Sequence, residues 1–142
     1  MFKFERTINY YETDKMGIVH HSNYIRFLEE ARCKWLESVD LSMAKIESLG
    51  LRIPTIEVNC KYKTGVTNDD KIIINLITEE FNGVRMKIKY KVVNAKSNAL
   101  VMEAYTEHCF TNVDGRPINV KKYNTEVYDK FNDLVEKSAN IW

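Results

Sequence analysis

Apolar and polar residues roughly alternate from Phe2 to Tyr11, with Phe2, Phe4, Ile8 and Tyr10 on one side, which predicts a first strand. A polar, turn-like stretch from Glu12 to Asn23 follows; it contains Gly17 and closes on Ser22 and Asn23, either of which suits a helix N-cap. Tyr24, Phe27, Leu28, Ala31, Trp35 and Val39 then recur at the three-and-four spacing of one helical face, while Arg26, Glu30 and Lys34 lie on the opposite one. Ile25 and Leu36 fall outside that stripe, so the helix is apolar over more than half its circumference and is expected to be wrapped by a sheet. A short second helix is predicted from Ser42 to Leu49, stopped by a left-handed Gly50.

Beyond Pro54 the period changes to that of strands. IEVNCKY, KIIINLITEEF, VRMKIKYKVV and ALVMEAYTEHCFT are separated by turn residues, and Asn82-Gly83 joins the second of them to the third as a tight hairpin. In the third, Val84, Met86, Ile88, Tyr90 and Val92 alternate with Arg85, Lys87, Lys89 and Lys91, so one face is buried and the other wet. Asp114-Gly115 and Pro117 end the last strand, and a closing helix from Thr125 to Lys137 carries Val127, Tyr128, Phe131, Leu134 and Val135 on one face. Strands and helices do not alternate as they would in a parallel sheet. The expectation is one α+β domain over residues 1–142, a long helix packed on an antiparallel sheet of about five strands, plus a C-terminal helix.

Composition narrows the classes. With 44% hydrophobic and 11% aromatic residues the chain should fold, and 21 Lys and Arg against 20 Asp and Glu offer no field to attract nucleic acid. A local patch of Lys or Arg could still hold the phosphates of a small ligand. Cys33, Cys60 and Cys109 are few, odd in number and far apart, which suits neither disulfides nor a metal cluster and points to the reducing cytoplasm. No apolar run approaches bilayer length, and MFKFERTINY alternates where a signal peptide would be continuously apolar, so no membrane insertion is expected.

The densest chemistry lies in TDKMGIVHHSNY, which holds Asp14, Gly17, His20, His21 and a helix start. On the residues alone, Asp14 could simply make an Asx turn and the histidines be ordinary surface groups. Yet YYETDKMGIVHHSNYIRFLEEARCKWLE resembles the signature of the 4-hydroxybenzoyl-CoA thioesterase-like hotdog family, with Asp14, Gly17, Val19, Asn23, Tyr24, Glu30, Ala31, Arg32 and Trp35 in its places. A looser likeness continues through Tyr62, Asp69-Asp70 and Asp114, Arg116 and Pro117.

That resemblance implies a hotdog fold and an acyl-CoA thioester hydrolase that needs no cofactor, its substrate carried on coenzyme A or an acyl carrier protein. The aspartate matching Asp14 would be nucleophile or general base, and the backbone N–H at His21 would polarise the carbonyl, with a supporting role open to the His21 side chain. Gly17 would let the chain turn closely past the ligand. Val19, His20, Tyr24 and Tyr62 are the candidate substrate-binding residues, although Tyr24 opens the buried stripe and core packing competes for it and for Tyr62. Thr64 and Gly65 replace the usual basic residue and proline in KYKTGVTNDDK, which leaves the coenzyme A contacts open.

Other groups read more plainly. His108 shares a strand face with Met102, Ala104 and Phe110 and suits a satisfied core histidine, the Lys87, Lys89 and Lys91 row suits a solvated face, and Cys33 suits packing. An acyl-CoA hydratase on the same fold would show Asp-x-Asn-Pro-x-His, and no Asn-Pro separates Asp14 from His21. The remaining alternative is a non-catalytic hotdog module that binds an acyl thioester or a partner protein. An uncovered sheet edge predicts a homodimer, or the homotetramer common in the family, with the active site between subunits.

Overall fold

A computed structural model describes residues 1–136. Strand β1 (Phe2–Thr7) leads through a 3-10 turn (Tyr10–Glu12) and an irregular stretch into helix α1 (Asn23–Ser38) and the short α2 (Met43–Ser48). Strands β2 (Thr55–Tyr62), β3 (Lys71–Phe81), β4 (Arg85–Asn94) and β5 (Leu100–Cys109) follow, then α3 (Val120–Tyr123) and α4 (Thr125–Asp133). The five strands form one antiparallel sheet in the order β1-β3-β4-β5-β2. This is the α+β hotdog arrangement that the resemblance implies.

The alternation in β3 and β4 sets the core. Ile72, Ile74 and Leu76 on β3 and Met86, Ile88, Tyr90 and Val92 on β4 are buried in one cluster with Tyr24, Phe27, Leu28, Ala31 and Trp35 of α1. Leu36, outside the helical stripe, is buried as well, while Ile25 is exposed. On the far face Lys87 and Lys89 pair with Glu79 at 3.4 and 3.8 Å, a solvated row that spans neighbouring strands.

Four expectations change. Strand β1 stops at Thr7 because the chain turns over Asn9 into the 3-10 segment, so Ile8 is buried but Tyr10 is exposed. Val84 belongs to the turn at Gly83 (φ 87°) rather than to β4, and it too is exposed. Tyr62 lies on edge strand β2 and is exposed, not in the core. The closing helix ends at Asp133, preceded by the unforeseen α3, and the expected end at Lys137 lies outside the described residues.

His108 anchors a buried polar chain under α1. Arg32 Nη1 donates to the Tyr90 hydroxyl at 3.2 Å, Tyr90 and Thr106 hydroxyls are 2.8 Å apart, and Thr106 Oγ1 lies 2.8 Å from His108 Nε2. A guanidinium can only donate, so the Tyr90 hydroxyl accepts from Arg32, and Thr106 Oγ1 links that hydroxyl to the imidazole. Burial first, then the Arg32 charge, pushes the His108 pKa down to about 4.

That shift has a consequence for stability. The folded state binds fewer protons than the unfolded chain between about pH 6.5 and pH 4, so stability falls as pH drops through that window. We expect wild type to lose about 2 kcal/mol more than His108→Gln between pH 7 and pH 5. Parallel melting curves of the two proteins at both pH values would contradict this.

Candidate active site

The segment between β1 and α1 is held by its own backbone. Asp14 N–H donates to Ile18 O at 2.8 Å and Gly17 N–H to Asp14 O at 3.0 Å, closing a tight turn whose left-handed Gly17 (φ 79°) suits only glycine without strain. Asp14 Oδ1 accepts from Met16 N–H at 2.8 Å, so the Asx turn is real; among the described residues it is the only hydrogen bond to this half-buried carboxylate. Thr13 bridges to Val19, and Val19 N–H donates to Val66 O at 2.9 Å, which docks the loop after β2 against the turn. Gly65 lets that loop close in, because a Cβ there would sit 2.9 Å from Ile18 Cγ2.

The helix start differs from the expected cap. Ser22 occupies the N-cap position without a side-chain cap bond, its hydroxyl instead 2.8 Å from His20 Nδ1. Asn23 is the first helical residue, and its Nδ2 donates to Glu12 O at 2.8 Å. The Ser22 amide donates to His20 Nδ1, whereas the His21 amide donates to no acceptor among the described residues. An unpaired N–H at a helix start is a ready site for negative charge.

These elements enclose a cavity of about 310 Å³. Asp14, Val19, His21, Tyr24 and Tyr62 all line it; Gly17 and His20 do not, although His20 stacks on His21 with ring centroids 4.2 Å apart. The Tyr62 hydroxyl donates to His21 O at 3.1 Å, and its ring leans on Tyr24 at 5.4 Å. Tyr24 is both core and wall: it is 4% exposed, and burial, then the neighbouring Tyr62, raises its pKa to about 12, so it stays a neutral phenol. Asp14 is the one carboxylate among the lining residues.

Met16, Ile18 and Lys63 complete the wall with Thr64 and Gly65, and residue patterns did not single out the first three. No group of three or more His, Cys, Asp or Glu side chains among the described residues could hold a metal ion. Cys33 is half-buried, and burial, then Glu29, raises its thiol pKa, the opposite of what a nucleophilic cysteine needs.

Comparison with known proteins identifies the family. Residues 8–138 match the family model described as the thioesterase-like superfamily. A protein of Aquifex aeolicus named as an esterase is 34% identical over 126 residues, 89% of this chain and 96% of its own length. An acyl-CoA thioester hydrolase of Escherichia coli is 25% identical over 104 residues, 73% of this chain and 77% of its own. The solved structure of a DHNA-CoA thioesterase from Staphylococcus aureus superposes with a TM-score of 0.87 at 27% identity, covering 92% of this chain and 88% of that one. With nearly its whole length matched, the chain belongs to the thioesterase-like superfamily.

Proposed function

We propose that Asp14 drives hydrolysis of an acyl-CoA thioester by this chain, releasing a free acid and coenzyme A. The observation that supports the reading is one cavity lined by both Asp14 and His21, whose amide has no acceptor among the described residues. The carboxylate attacks the thioester carbonyl carbon directly or takes a proton from the water that does. Charge gathers on the carbonyl oxygen, where the His21 N–H and the start of α1 oppose it. The carbon–sulfur bond then breaks and coenzyme A leaves as a thiolate, a stable leaving group that takes up a proton from solvent; after direct attack, water hydrolyses the acyl–Asp14 anhydride, which releases the acid and restores the carboxylate.

Coenzyme A is the carrier named for the relatives from Escherichia coli and Staphylococcus aureus, which favours it here. The three cysteines, all free, suit a reducing compartment such as the cytoplasm. Among the described residues strand β2 pairs only with β5, and it exposes Ile56, Val58 and Tyr62, so a second copy pairing along this edge would bury them and close the cavity.

A thiol-release screen over acyl-CoA chain lengths and aromatic acyl groups tests the reading. Because the proposed donor is a backbone group, His21→Ala should keep kcat within about tenfold of wild type. Binding of the thioesters with no thiol released from any would reduce the chain to a binding module.

A further inference from the structure

Asn23 N–H donates to His20 O at 3.0 Å, which closes a tight turn over residues 20–23 whose central peptide joins His21 to Ser22. Side chains grip that peptide at both ends. Its carbonyl, His21 O, accepts from the Tyr62 hydroxyl at 3.1 Å, closer than the Tyr24 amide at 3.4 Å. Its amide, Ser22 N–H, donates to His20 Nδ1 at 3.2 Å. An Nδ1 that accepts an amide proton carries none of its own, so the Ser22 hydroxyl, 2.8 Å away, donates to it as well.

The grip selects one form of the turn. Ser22, with φ −66° and ψ −23°, suits the second central residue of a type I turn. Turning the central peptide over would give the type II form, which demands a positive φ at Ser22 and would break both side-chain bonds. A peptide unit is planar, so holding it at both ends fixes its orientation. The unit before it carries the His21 N–H and is held at its own carbonyl by Asn23. His21 thus sits between two fixed planes, and the direction of its N–H follows from them. His20 does not line the Asp14 cavity, so its effect passes through the backbone; its own N–H donates to Glu12 O at 2.9 Å, which anchors it in turn.

A donor that is already aimed needs no reorganisation as charge develops on a carbonyl oxygen. Resting on the function proposed above, we infer that His20 and Tyr62 are positioning residues for that reaction, holding the His21–Ser22 peptide between them and so aiming the His21 N–H. A cycle of His20→Phe, Tyr62→Phe and the double variant tests this by thiol release from the best acyl-CoA of the screen, at a temperature where melting curves show every variant folded. Phenylalanine keeps a ring at each place and deletes the acceptor or the hydroxyl. Should His20→Phe fail to fold, His20→Leu takes its place in the cycle.

Each single variant should lower kcat about tenfold with KM within about twofold of wild type, as expected for an interaction that matters once charge has developed. Because both side chains hold one peptide, the double variant should lose about twentyfold, well short of the roughly hundredfold that independent effects would give. His20→Asn restores an acceptor at the place of Nδ1 and should bring kcat back to within about threefold of wild type. An unchanged kcat in either single variant, a loss confined to KM, losses that multiply, or a His20→Asn as slow as His20→Phe each overturns the inference. A wild type that releases no thiol from any thioester of the screen would instead bring down the proposed function, and this inference with it.

Discussion

Asp14→Asn is expected to lower kcat for thioester hydrolysis by about a thousandfold or more while leaving the melting temperature almost unchanged. The two halves of that expectation come from the two oxygens. Oδ1 holds the turn by accepting from Met16 N–H, and an asparagine carbonyl in the same position accepts that bond equally well. What the substitution removes is the negative charge, on which both attack on the carbonyl and activation of water depend. A purely structural Asp14 would therefore show no loss of rate in this variant, and a catalytic one a severe loss without unfolding. Initial rates of thiol release on the best substrate of the screen, read beside thermal melts, separate the two. Turnover within tenfold of wild type would falsify the catalytic role.

Much of the fold was legible because it rests on periodicity. The bounds of β3 follow from KIIINLITEEF alone, and α1 begins within one residue of the first position of its apolar stripe. Misreadings arose where an element's neighbours, not its own pattern, decide exposure. Tyr62 alternates correctly on β2, but that strand is an edge, so the same pattern that buries Tyr90 leaves Tyr62 uncovered. Tyr10 continues the alternation of β1 after the strand has already ended.

The candidate site divides along the same line. Asp14, Val19, His21 and Tyr24 are close in the chain, so a local signature reached them. Lys63 joins them only because Val66 O accepts from Val19 N–H and Ile18 bridges to Thr67, pairings between distant segments that leave no periodic trace. Gly17 shows the reverse case: a signature residue whose evident task is the left-handed turn that aims Asp14, since it does not line the cavity.

Glu12 was read as no more than the start of a polar turn, and its buried pair with Arg6 carries the largest expected effect on stability. Its side chain is buried, with both oxygens taken by Arg6 at 3.0 Å, and Oε1 also accepts from Asn9 N–H at 2.8 Å, which ties the 3-10 turn to β1. Its backbone oxygen receives His20 N–H and Asn23 Nδ2, so the same residue braces the head of α1 and the strand leading to Asp14. Breaking a buried pair from either side is costly, but the two sides are not equivalent. Arg6 has a second carboxylate, Glu30 at 2.9 Å, and its guanidinium lies 3.9 Å over the Phe27 ring. Glu12 has no second cation within 4.0 Å among the described residues. Arg6→Met should therefore cost about 3–5 kcal/mol, and Glu12→Gln less, about 2–3 kcal/mol, because the orphaned guanidinium keeps Glu30. Urea unfolding of the two variants and wild type at neutral pH measures both. Equal losses would mean that Glu30 contributes nothing once Glu12 is gone, and losses under about 1 kcal/mol would show that the segment bearing Asp14 is held by its backbone bonds alone.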